Sequence, residues 1–446
     1  MAGLTAEPLP EPLPELQPLP AGAPATDEPG GLDPDRVQRR TLTLLFGTQI
    51  VGGIGVAIGI AVGALLAAAV AGTRFSGLAS SAAVVGGALV AVPATRIIRA
   101  RGRRPGLAFA YTVGVLGALV VVMGAATRVA PVLFGGMLLF GGGTAANLQA
   151  RYAAVDLARP ARRARQLALI VWATTIGAVA GPNVAPVADH AVHRFGLAEY
   201  SGPFVFSAVA FGTAAVAITL VLRPDPLLTA RRLSLSGHAG SSSLGLREAA
   251  RVVLATPAAR LGISAVAMGH LVMVGVMSMT PINIQGYVHG HADVLRIVGL
   301  VLSLHIAGMY AASPLVGWLT DRVGRRPVIL GGIGALLVAC AVAGTAGHHT
   351  PVLSVGLAML GLGWSGTMVA GSTLLSESVP VPARPAVQGL SDIVMGLAGA
   401  AASAVSGLVV DWSGYPTLAL LAAIATVPLI ALALRRPPVP VLAEGS

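Results

Sequence analysis

The sequence predicts an all-α polytopic membrane protein, with twelve transmembrane helices in two parallel six-helix repeats. Three observations predict it. The 446 residues are 55% hydrophobic and only 11% charged, with a mean hydropathy of +0.80, whereas a soluble domain carries roughly 25% charged residues. Apolar stretches of ~20 residues, each long enough to cross ~30 Å of hydrocarbon, recur along the chain. A short sequence also recurs: "GRRP" stands at Gly102–Pro105 and again at Gly324–Pro327, 222 residues later.

Residues 1–40 are Pro- and Glu-rich, and seven of the 18 acidic residues lie in the first 36. Such a stretch buries too little apolar surface to fold and reads as a disordered cytoplasmic tail. Spans follow at about 42–70, 75–96, 105–125, 131–153, 165–188 and 202–222, which make an N-terminal bundle of 41–222. The first span has no signal-peptide cleavage site before it and is retained. A Ser- and Gly-rich cytoplasmic linker, 223–258, leads to spans at 260–284, 296–318, 327–346, 351–375, 386–409 and 415–434. These make the C-terminal bundle, 259–434, before a cytoplasmic tail of 435–446. Pro160, Arg162 and Gln166 recur as Pro382, Arg384 and Gln388 at the same offset of 222. A repeat with one orientation in both halves has its axis along the membrane normal, and substrate sites in such folds lie between the halves.

All 29 cations are arginine. With both termini inside, only Arg74, Arg128, Arg194 and Arg296 fall outside. That asymmetry is the positive-inside pattern and predicts a multi-pass protein of the cell membrane with cytoplasmic termini. The net charge of +11 therefore reports topology, and the partner it implies is the lipid bilayer, with no nucleic acid. Cys340 is the one cysteine, so no intrachain disulfide is expected. No nucleophile, base and acid set emerges, so the chain reads as no enzyme.

"GWLTDRVGRRP" (Gly317–Pro327) has the pattern G-x-x-x-D-R-x-G-R-R. It resembles the signature loop of the major facilitator superfamily, and with the spans and linker the resemblance covers nearly all of the chain after Arg40. It implies the major facilitator fold. Gly317, Asp321, Arg322, Gly324, Arg325 and Arg326 are then expected to form a charged network at a helix end that locks one conformation. The first half departs from the pattern, because Arg99 stands where an Asp would match Asp321.

Four of the 11 methionines fall between Met268 and Met279. At 100° per residue His270, Met273 and Met277 share one stripe of span seven, whereas Met268 and Met279 face away and are expected to tolerate leucine. His305 and Met309 repeat the i, i+4 spacing on span eight. Thioether and imidazole suit Cu(I), and ionisable side chains within a span mark a substrate path. Methionine is also ordinary packing material. M-x-x-x-M on span seven followed by H-x-x-x-M on span eight resembles the CcoA-like copper importers of the same superfamily. The resemblance implies that Met273, Met277, His305 and Met309 carry copper into the cytoplasm, with copper as substrate, no cofactor, and a cytoplasmic copper acceptor as a partner. His270 joins them by its place on the stripe.

His190, His193, His289, His291, His348 and His349 all fall in outer loops, where they are candidates for copper capture. Two other functions compete. A proton-coupled exporter of drugs or other small molecules is one; "GAVAGPNVAP" (Gly177–Pro186) resembles part of a glycine-rich antiporter motif. Asp156, Glu377, Asp392 and Asp411 all read as near helix ends, which leaves that exporter without a central carboxylate. A non-transporting copper sensor or assembly factor is the other.

Overall fold

The computed structural model describes residues 33–159, 162–234, 245–380 and 383–435, and statements of absence below concern these. The described part is built from helices: α1 (Pro34–Ala71), α2 (Gly77–Arg101), α3 (Arg103–Thr127), α4 (Ala130–Ala153), α5 (Arg163–His193) and α6 (Gly202–Val221) form the first bundle. Two short helices, α7 (Pro226–Ser234) and α8 (Leu246–Ala255), lie in the linker. The second bundle comprises α9 (Pro257–Gln285), α10 (His291–Tyr310), α11 (Ser313–Val323), α12 (Arg325–Thr345), α13 (Thr350–Glu377), α14 (Arg384–Ala425) and α15 (Val427–Leu434). The face where the described chain begins and ends is called the near face, and the opposite one the far face.

Eleven stretches are long and apolar enough to span a bilayer. The last of them holds two crossings, because α14 breaks at Gly414, whose φ of 77° and ψ of 172° are not helical. Tyr415 there bonds Thr280 at the far end of α9, whereas Leu429 of α15 packs with Leu261 and Ile329 near the opposite end. The chain has therefore turned round, giving twelve crossings. Span eight is also interrupted, between α10 and α11 at Ala311 and Ala312, just before Pro314, which has no N–H to continue the ladder. The sequence reading carried that span through unbroken.

The first helix starts at Pro34, earlier than the expected tail boundary at 40. Asp33 caps it by accepting from the Asp35 N–H at 2.9 Å, with proline at the first helical position, a start that this pair of residues favours. Residues 1–32 of the expected tail, the linker segment 235–244 and the tail segment 436–446 lie outside the described residues.

The repeat is visible at the near face. Arg103 grips Asp156 through Nε and Nη2 at 2.8 and 2.9 Å. Arg325 grips Glu377 the same way at 2.9 and 2.6 Å. The arginines are 222 residues apart and each ties one hairpin of its own bundle. Gly102 and Gly324, at φ 96° and 101°, let the chain turn tightly between helices there.

The bundles meet along α5 with α10 and along α2 with α14. The bonds between them lie in the far and middle portions. Ser403 Oγ donates to the Gly77 carbonyl at 2.9 Å, Ser81 Oγ to the Ala400 carbonyl at 2.7 Å, and Asn183 Nδ2 to Ser303 Oγ at 2.6 Å. No hydrogen bond among the described residues joins the near ends of the two bundles. A Cβ on Gly77 would sit 1.8 Å from the Ser403 carbonyl oxygen, so the far side is in full contact. Gly77→Leu should therefore leave each bundle folded while holding the far ends apart, read as a longer spin-label distance across the far face. Gly86→Leu is the counterpart within one bundle, where a Cβ would stand 1.7 Å from the Leu138 carbonyl oxygen. It should lower stability by about 1–3 kcal/mol or more, measured by thermal melting in detergent.

Candidate functional site

His305 is fully buried on α10. Its Nδ1 lies 2.8 Å from the Leu357 carbonyl of α13. A carbonyl only accepts, so Nδ1 carries the proton and Nε2 holds a free lone pair. That Nε2 is buried and has no hydrogen-bond partner among the described residues. Leaving such an acceptor unmet costs about 1–3 kcal/mol, so the arrangement needs a reason. Met309, one turn further on, is also buried, as is Met273 on α9, and Met277 is half-buried. At ~1.5 Å per residue, Met277, Met273, His305 and Met309 lie about 12, 18, 21 and 27 Å from the far ends of their helices. They form steps along the membrane normal, too spread for all four to hold one ion.

His270 departs from the expected set. Its Nδ1 accepts the indole N–H of Trp364 at 3.1 Å, so the ring proton sits on Nε2 and neither nitrogen presents a lone pair. Met279 departs too. Although it lies off the stripe, it is fully buried, and its sulfur accepts from Ser76 Oγ of the other bundle at 3.4 Å, so it belongs to the far-side contact and not to a free face. Met268 is partly buried beside Leu261 and Ile333.

Around Trp364 lies a cluster that the sequence reading missed. Tyr310 meets the indole edge-on at 5.9 Å between centroids. Arg151 of α4 acts electrostatically on Tyr310 and on Asp392 of α14, across the gap between bundles. The Nε of Arg151 and the Oγ of Ser365 are buried without partners. Asp392 stands eight residues into α14, about 12 Å along the helix, deeper than the end position expected for it. Only a lone arginine at the end of span four and an aromatic pair hinted at this cluster, and neither has a spacing signature.

The loop histidines do not gather. No group of three or more His, Cys, Asp or Glu among the described residues is placed to hold a metal. His291 is spent on a latch between bundles: Nε2 pairs with Glu199, and Nδ1 accepts from the Tyr200 hydroxyl at 2.7 Å, which also accepts from Gln285 Nε2 at 3.1 Å. Burial, with Glu199 adding to it, pushes the Tyr200 phenol up to about 12, so it remains a donor. The backbone of Tyr200 is held at φ 64°, a costly conformation for a large side chain. His348 stacks on Tyr287 at 5.1 Å. His190, His289 and His349 are exposed, and the side chain of His193 lies outside the described residues.

The signature loop does not lock the bundles to each other here. Asp321 is mostly exposed and reaches Arg325 at 3.5 Å. Arg322 covers the Trp318 ring, Arg326 donates to the Arg435 carbonyl, and Gly317 faces open space. In the first half Asp225 takes the place left by Arg99, accepting from the Arg104 N–H at 2.7 Å and capping α7.

The family model described as Major Facilitator Superfamily matches residues 295–445. An uncharacterized MFS-type transporter of Bacillus subtilis (strain 168), YdeG, is 36% identical over 401 residues, which cover 88% of this chain and 90% of that protein. The chain belongs to the major facilitator superfamily. It is a membrane transporter, not an enzyme, and superfamily transporters generally carry no cofactor. The riboflavin transporter RfnT of Brucella anthropi is 27% identical, over 88% of this chain and 95% of its own. The structure of the nucleoside transporter NupG aligns with a TM-score of 0.66, at 17% identity, over 90% of this chain and 100% of that one, a likeness of fold.

In an alternating-access transporter the Tyr200 latch holds the far side shut. Tyr200→Phe removes two hydrogen bonds worth about 1 kcal/mol each and should move the equilibrium toward far-side opening by roughly 30-fold. Accessibility of a cysteine placed at Leu295, buried one turn outward from the Gly299 contact with Pro182 of α5, to a membrane-impermeant thiol reagent measures it, in a Cys340→Ala background.

Proposed function

We propose that this transporter carries copper, as Cu(I), across the cell membrane into the cytoplasm by alternating access. The near face is the cytoplasmic one in this reading, since it carries all but a few of the arginines. The observation that carries the proposal is the free Nε2 lone pair of His305, buried one turn from a buried methionine. A backbone carbonyl on Nδ1 and an open Nε2 are how a histidine is prepared to ligate a metal. Met277, Met273, His305 and Met309 hand the ion on in turn, since they are spread along the axis. A neutral donor set avoids placing a carboxylate in hydrocarbon. The break at Ala311 and Ala312 follows directly after Met309 and Tyr310, and interrupted helices mark binding sites in such folds. His270 positions Trp364 and is not a ligand. Exposed His190, His289 and His349 remain entrance candidates, and a cytoplasmic copper acceptor receives the ion.

A flat organic solute is the second reading. It is favoured by the Trp364 and Tyr310 pair with Arg151 within electrostatic reach of Tyr310, and by the relative RfnT being a riboflavin transporter. Such a solute stacks on the aromatic rings, and the Arg151 guanidinium meets its polar edge.

Met309→Leu and Met277→Leu keep size and apolarity, so packing should lose less than about 1.5 kcal/mol. Copper accumulation at matched protein abundance should nevertheless fall at least tenfold, and His305→Gln should match them. Trp364→Leu should leave copper uptake within a factor of about two to three if copper is the cargo. Parent-like copper uptake by the methionine variants, with riboflavin uptake lost in Trp364→Leu, would replace copper by the organic solute.

A further inference from the structure

Three arginines converge on one cavity of the near face with no carboxylate in its lining. The cavity, about 510 Å³, lies between the start of α9, the start of α12 and the end of α15. Arg260 and Arg326 stand in first helical turns and Arg435 just past α15. The three therefore mark the level of the helix ends. Leu254, Leu261 and Leu432 supply an apolar wall, with Leu432 about half a turn inside the end of its helix. Leu254 is two-thirds exposed, an unfavourable placement for a leucine with nothing to cover it. Arg326 Nη1 donates to the Arg435 carbonyl oxygen at 2.9 Å, which fixes one guanidinium at the rim. None of the three arginines forms an ion pair among the described residues. The N-termini of α9 and α12 add positive potential at the same level.

A second arginine-lined cavity of this face is different. It measures about 70 Å³, and Asp35 sits in it with Arg39, Arg159 and Arg162. Asp35 pairs with Arg159, so the protein itself answers the charge there. At Arg260, Arg326 and Arg435 nothing described does.

We infer that this cavity binds one anionic phospholipid. Its phosphate lies on Arg260, Arg326 and Arg435, and the first carbons of its chains lie against Leu254, Leu261 and Leu432. Guanidinium forks match phosphate oxygens. The leucine wall distinguishes a lipid from free phosphate, which has no apolar part to place against it. The bound lipid ties α9, which bears Met273 and Met277, to α12 and α15.

The test is native mass spectrometry of the full-length protein in detergent, titrated with phosphatidylglycerol or phosphatidylcholine. One phosphatidylglycerol should be retained in preference to phosphatidylcholine. Arg260→Gln with Arg435→Gln should lose roughly 30-fold of that preference, about fivefold per arginine. Both side chains are exposed, so the double variant should melt like the parent. Arg39→Gln with Arg162→Gln, at the other cavity, should retain the preference. Equal binding of phosphatidylcholine, or undiminished phosphatidylglycerol binding by the first double variant, would overturn the site. So would displacement of the lipid by millimolar inorganic phosphate, which would make it a phosphate site. Lipid binding that emerges only after deletion of residues 1–32 would make the acidic tail the occupant instead.

Discussion

Hydrocarbon offers no hydrogen-bond partner, so every polar group carried into these spans must be met inside the protein. The backbone meets the demand by being helical in the crossings, with the break in span eight at Ala311 and Ala312 as an exception. Thr112 and Thr219 meet it by bonding carbonyls one turn back in their own helices. Gln49 spans three helices, donating to the Asn147 carbonyl and to Thr174 Oγ1, while Tyr111 donates to the Asn147 side chain. Against this background the two intramembrane histidines separate. His270 accepts an indole N–H and holds Trp364 in place. His305 spends one nitrogen on a carbonyl and leaves the other bare, and that unmet lone pair is what a soft cation would answer.

The same demand sorts the interactions into those that make each bundle rigid and those that let the bundles move. Arg103 with Asp156 and Arg325 with Glu377 are internal to one bundle each, and can persist through a transport cycle. At Asp156 burial raises the carboxyl above its ordinary value while Arg103 opposes that rise, a sign that the pair is held out of water. The bonds across the gap are fewer and lie toward the far face, at Gly77, Ser76, Asn183 and Tyr200. Breaking them opens one side without disturbing either core, which suits rigid-body rocking about a site between the halves.

The crossings and the repeat were legible because hydrophobic length and the GRRP offset depend only on local sequence. The break at Ala311 was readable from Pro314 but was outweighed by the apolar run around it. The start at Pro34 was readable from Asp33 and Pro34, and was masked by the proline-rich composition before it. Site geometry was less accessible. Helical phase put His270 and Met273 on one stripe, yet phase cannot say that the stripe meets Trp364, ninety-odd residues away. It put Met279 on the far side of its helix, where the other bundle, and not lipid, was waiting. The latch at His291 depends on Glu199 and Tyr200 from another loop, a pairing with no sequence signature. Asp225 fills the gap left by Arg99 only because the chain folds back after span six.

Copper transport by this route requires thioether and imidazole donors to meet the metal at His305. X-ray absorption spectroscopy of purified protein loaded with one equivalent of Cu(I) tests this. A low-coordinate copper with both sulfur and imidazole scattering is expected, with loss of the imidazole contribution in His305→Gln. Copper that fails to bind stoichiometrically, or a spectrum of nitrogen and oxygen donors alone that is unchanged in His305→Gln, would contradict it.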